Sequence, residues 1–130
     1  MSVSKIEEML IKSVHSDRNA EEFFLSNSHN EELFYTILEI VENSDSGDAR
    51  MEGAYYLSTY DENILKKEES RLLLLMDDEW DSVAVHIMIA LSRIRSMKAL
   101  KRIIQNRIRP TLEWEAKALE NYVQGVKDEK

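Results

Sequence analysis

Three histidines, 25 carboxylates and no cysteine are the raw material for chemistry in this chain. His15, His29 and His86 are scattered, with no i, i+4 pair and no Glu-x-x-His spacing, so no nitrogen-ligated metal site is expected. His86 lies among apolar residues and reads as a hydrogen-bonded packing residue. The lack of cysteine excludes disulfide frameworks, thiolate zinc sites and cysteine nucleophiles. Asp77, Glu79 and Asp81 match the first, third and fifth positions of a calcium loop. The sixth position is Ser82, where the sharp turn needs glycine, and the twelfth is Met88, where a bidentate Glu is needed. These acids read instead as favouring the N-terminus of the next helix. The Glu pairs at 7/8, 21/22, 31/32 and 68/69 are adjacent on helices, point apart and read as solvated faces. No nucleophile elbow or phosphate-binding glycine loop is present. The chain is expected to be no enzyme, with no catalytic, cofactor-binding or metal residue to nominate.

What the charges can do is bind. Net charge is −8, unevenly spread: residues 1–81 hold 20 acidic and 7 basic side chains, and residues 82–112 hold 7 basic and no acidic ones. Glu39, Glu42, Asp45, Asp48 and Glu52 cluster around the NSDSGD stretch, and Asp77, Asp78, Glu79 and Asp81 around DDEWD. Tyr55, Tyr56, Tyr60 and Trp80 are close in sequence to one or the other. Aromatic anchors beside carboxylates suit a protein interface, the aromatics giving desolvated contacts and the charges speeding and selecting association. The residues nominated for a partner are therefore Asp77, Asp78, Glu79, Trp80, Asp81, Glu42, Asp45, Asp48, Glu52, Tyr55 and Tyr60. Ordinary capping, with the aromatics in the core, is the plainer reading of each one singly. Arg93, Arg95, Lys98, Lys101, Arg102, Arg107 and Arg109 form a basic run. A phosphate-binding stripe is one reading of it. The other, favoured because no aromatic platform interleaves the run, is pairing with acids such as Glu68, Glu69 or Glu113.

Helices must position these groups. One proline and three glycines leave little material for β-turns, and strong helix formers dominate, so the fold class is all-α. Capping boxes at Ser4/Glu7 and Ser28/Glu31 predict helices over 5–14 and behind Ser28, where Leu33, Phe34, Ile37, Leu38 and Val41 share a face. Further helices are predicted over 19–25, from Asp48 to Thr59, over 62–76 after Asp61, over 80–94, over 97–106 after Ser96, and from Pro110 onward. That makes about eight. The stretch from Trp80 to Ile94, apolar on two faces, is expected at the centre of a stack, and the Leu72–Leu75 run is expected to be buried nearly all round. A single domain of 130 residues is expected. No apolar stretch has signal-peptide or membrane-span length, so a cytoplasmic location and no membrane partner are expected.

Trp80-Asp81 with Ala84 recurs as Trp114-Glu115 with Ala118, and Ala54 precedes Ala84 by a similar interval, a loose period of 30 to 34 residues. With Ala54, Ala84 and Ala118 as small packing positions, and Asp48, Asp81 and Pro110-Thr111 near the helix starts, residues 48–126 resemble HEAT-type helical repeats. Residues 1–45 then serve as N-terminal capping helices. In size, acidity around DDEWD and NSDSGD, and stacked-helix pattern, the chain is similar to helical-repeat immunity proteins of bacterial contact-dependent and polymorphic toxin systems. That resemblance implies a protein that binds a cognate basic toxin domain, often a nuclease, and covers its active site. Two other readings stay open: a helical-repeat scaffold or adaptor, and a nucleic-acid-binding module using the 93–109 basic run. Net negative charge disfavours nucleic acid as the main partner.

Overall fold

The computed structural model describes residues 2–106, with side chains as far as Arg102. Among the described residues all regular structure is helical: α1 (Val3–Val14), α2 (Arg18–Ser26), α3 (Glu31–Asn43), α4 (Gly47–Leu57), α5 (Glu62–Lys67), α6 (Glu69–Leu75), α7 (Asp81–Arg93) and α8 (Met97–Asn106). The all-α expectation holds. None of these helices is long and apolar enough to cross a membrane. The helix expected after Pro110, with Trp114 and Ala118, lies outside the described residues, as do Glu113, Arg107 and Arg109.

Short polar side chains start most of the helices by accepting from free N-terminal amides. Asp61 and Ser96 do so as expected, receiving the Asn63 and Ala99 N–H groups at 2.8 and 3.2 Å. Elsewhere the cap shifts by two residues, upstream for α1 and α4 and downstream for α3. Ser2 caps α1 in place of Ser4, Asn30 caps α3 in place of Ser28, and Ser46 caps α4, leaving Asp48 in its first turn. α7 begins at Asp81 after Trp80 with no side-chain cap. The expected 62–76 helix is two helices, broken at Glu68. In α6, Leu72 and Leu75 are buried, but Leu74 is 74% exposed, so this run packs on one side only. Seven residues cannot bury four consecutive leucines against one neighbouring surface, because their side chains fan around the helix.

Among the described residues α4 makes the most extensive contacts with other helices. It packs against α1, α3 and α7. Its buried residues, Ala49, Gly53, Ala54, Tyr56 and Leu57, form one broad face, filled largely by small side chains. Gly53 makes this possible. A β-carbon there would stand 2.7 Å from Val41 Cγ2 and 3.3 Å from Ile37 Cγ2, so only glycine lets α4 come this close to α3.

Parallel neighbours flank α4. Leu10 lies against Gly53 and Ser13 bonds Tyr56, so α1 runs alongside α4 in the same sense. Gly47 meets Trp80 and Tyr55 meets His86, so α7 runs alongside it too. Arg93 closes this second pairing, donating to the Ser58 and Tyr60 carbonyls 35 and 33 positions earlier. α3 relates similarly to α5 and α6, through Lys67 to Glu31, Tyr35 to Glu68 and Arg71 to Glu42, with separations of 36, 33 and 29 positions.

Candidate partner-binding surface

Because α4 and α7 run in the same sense, their N-terminal loops meet at one end. These are the two acidic loops. The Trp80 indole covers Gly47: a β-carbon on that glycine would lie 3.0 Å from Cη2 and Cζ2 of the ring. Beneath it, Arg50 binds Asp78 through both terminal nitrogens and donates its Nε–H to the Val41 carbonyl at 2.7 Å. Asp78 also accepts the Trp80 N–H at 2.9 Å. One carboxylate thus fixes the position of Trp80 and ties α4 to the loop before α7. The side chains of Arg50 and Asp78 are only 11% and 8% exposed. Asp78, nominated for a partner, therefore faces inward: its oxygens are occupied within the fold.

The other nominated acids divide in two. Asp45, Glu79 and Asp81 are exposed and Asp48 is half-buried, flanking Gly47 and Trp80 in sequence on the two joined loops. Trp80 stands among them, 45% exposed. Glu42 is held by Arg71 through both carboxylate oxygens, and Asp77 accepts from Arg102 at 3.2 Å. Tyr60 is corrected. It is fully buried with its ring edge-on to Phe34 at 5.1 Å, and cannot reach a partner. Tyr56 is likewise buried, stacked on Phe24 at 4.6 Å.

Glu52 and Tyr55 are placed apart from the loops, farther along α4. With Asp48 they follow i, i+4, i+7 spacing and so share one stripe of the helix. They open onto a groove of about 450 Å³ between α1, α2, α4 and α7. Ser13, Glu21, Leu25 and His86 line its other sides, residues the sequence reading did not bring to a site. Ser13 Oγ donates to Glu52 at 2.6 Å and shares a hydrogen bond with the Tyr56 hydroxyl. Burial, with the Glu21 charge beside it, pushes the Glu52 carboxyl above its ordinary range, against the pull of the Ser13 bond. Burial likewise pushes the Tyr56 hydroxyl up to about 12. His86, half-buried, meets the Tyr55 ring edge-on at 5.5 Å.

Part of the basic run is spent inside the fold. Arg93 donates to the Ser58 and Tyr60 carbonyls just past the end of α4, and Arg102 donates to the Leu73 carbonyl near the end of α6. Arg102 also pairs with Asp77 at 3.2 Å, so the expected pairing with an acid of a neighbouring unit is met there, though not through Glu68 or Glu69. Lys98 and Lys101 are exposed, and so is Arg95. Among the described residues no cluster of three His, Cys, Asp or Glu side chains could hold a metal ion. Compared with models of known families, with curated proteins and with solved structures, the chain matches none of them.

Proposed function

We propose that this chain is a non-catalytic inhibitor of the immunity type, which captures a cognate basic toxin domain, a nuclease, in the cytoplasm and covers its active site. On this reading the 29-to-36-residue register between neighbouring helices is that of a HEAT-type stack. The observation that carries the proposal is the seating of Trp80 on Gly47, which gathers Asp45, Asp48, Glu79 and Asp81 about one exposed aromatic ring. A nuclease active site is basic because it binds phosphates. Carboxylates stand where those phosphates would lie, and the indole supplies the desolvated anchor that charges alone do not. Long-range attraction between an acidic face and a basic partner speeds encounter and weakens with salt. Asp78 and Arg50 hold the arrangement firm before the partner arrives, which lowers the ordering cost of binding.

The test is affinity capture of the tagged protein from its own nuclease-treated cells, followed by kinetics with the recovered partner. A small basic protein released at high salt, and inhibited by this chain, supports the proposal. Replacing Asp45, Asp48, Glu79 and Asp81 together by Ser should then slow association on the order of 10-fold or more at low salt. Association and salt dependence left unchanged by that variant would remove the acidic loops from the mechanism. An assortment of cellular proteins, none inhibited, would favour a scaffold instead.

A further inference from the structure

We infer that the groove between α1, α2, α4 and α7 receives a single arginine side chain from a protein partner. This deepens the proposed function, since it rests on the partner being basic, but it concerns a place separate from the acidic loops. Besides the His86 imidazole on the α7 side, the groove offers three kinds of lining that suit one side chain. Glu52 and Glu21 supply negative charge, Tyr55 supplies an aromatic face 38% exposed, and Leu25 supplies an apolar wall 49% exposed. An arginine matches all three: its stem lies along the leucine, its planar guanidinium stacks on the tyrosine, and its N–H groups donate to carboxylates.

The groove is also built to hold a carboxylate in place. Ser13 and Tyr56, 3% and 1% exposed, are bonded to one another, and Ser13 fixes one oxygen of Glu52. That bond orients the carboxylate through one oxygen, and Glu52 lines the groove. A half-buried carboxylate beside a second acid gains most from a cation that replaces lost water. The groove, about 450 Å³ and open to solvent, far exceeds the space a bound water needs and leaves room for a side chain to enter from outside.

The probe is N-acetyl-arginine amide, titrated into the isotope-labelled full chain and followed by amide NMR shifts. N-acetyl-citrulline amide, the neutral isostere, serves as the control. Saturable shifts at Glu21, Glu52 and Tyr55 with a Kd of about 1 mM are expected, and binding of the citrulline compound at least about 10-fold weaker. Glu52→Gln keeps an acceptor for Ser13 and should weaken arginine binding about 5-fold or more. Glu21→Gln, which breaks no hydrogen bond to Ser13, gives the same reading if the first variant does not fold. The Asp45→Ser/Asp48→Ser pair should leave the titration unchanged. Equal response to citrulline, shifts confined to the acidic loops, or no saturation well above millimolar would overturn the inference. None of these outcomes depends on a toxin being found, so the groove and the acidic face fail or stand separately.

Discussion

The Trp80 indole and Gly47 are in direct contact, with ring atoms 3.0 Å from the position a β-carbon on Gly47 would take. Alanine at this position would have to displace either the ring or the start of α4. The ring gives way more readily, because nearly half of it already faces solvent. Gly47→Ala is therefore expected to change stability by no more than about 1 kcal/mol, the contact being offset by the helix preference of alanine. It should also red-shift the Trp80 emission, measured in a Trp114→Phe background. An unchanged spectrum would mean that the indole is not seated as described.

The Arg50–Asp78 pair predicts asymmetric losses. Asp78→Ala leaves a guanidinium 11% exposed without its carboxylate, and it removes the acceptor for the Trp80 N–H. A loss of about 3 kcal/mol is expected in denaturant unfolding. Arg50→Met combined with Asp78→Ala should recover much of that, because no buried charge is then left alone. If the double variant were no better than Asp78→Ala, the pair would not be the source of the loss.

Tyr60 predicts the opposite sign. Its hydroxyl is buried without a hydrogen-bond partner among the described residues, while its carbonyl receives Arg93. Tyr60→Phe leaves the backbone bond intact and removes the unsatisfied group. Stability should stay equal or rise by up to about 1 kcal/mol. A clear loss would reveal a partner for the hydroxyl.

Alkaline pH should unfold the protein through Tyr56 and Tyr60. Burial raises both hydroxyls above the ordinary 10.0, Tyr56 to about 12. The folded state thus keeps protons that the unfolded state releases. Stability is unaffected well below pH 10 and falls as pH climbs from 10 toward 12. Tyrosinate absorbance from these two residues should rise together with the loss of helical circular dichroism. Ionisation of all five tyrosines ahead of any unfolding would contradict this.

What could be read from the sequence depended on how many sides each helix buries. α3 was legible because Leu33, Phe34, Ile37, Leu38 and Val41 line one face and are all buried. α4 packs against three neighbours through a face of mostly small residues, Ala49, Gly53 and Ala54, while Tyr55 and Met51 lie off that face, so no apolar stripe marked its place. Caps slipped by two residues at Ser2, Asn30 and Ser46 because several side chains near each start can accept the same amides, and packing selects among them. The clustering of acids around NSDSGD and around DDEWD was readable in the sequence. That Asp78 turns inward was not, because its partner, Arg50, lies 28 positions away. The groove was hidden: Glu52 and Tyr55 read as neighbours of the acidic loop, and nothing local brought Ser13 or Glu21 to them.

The same-sense packing of α1, α4 and α7 has a bearing on how the chain acquires its structure. Among the described residues the longest side-chain bond, Ser13 to Tyr56, reaches 43 positions, and most inter-helix bonds reach fewer than 37. Every loop to be closed is short, so the entropy lost before contacts form is small and assembly spreads outward from α4 one neighbour at a time. Opening should retrace that order. Amide exchange would be slowest in α4 around Gly53 and quicken toward α1 and α8, a gradient of protection along the chain in place of one global event.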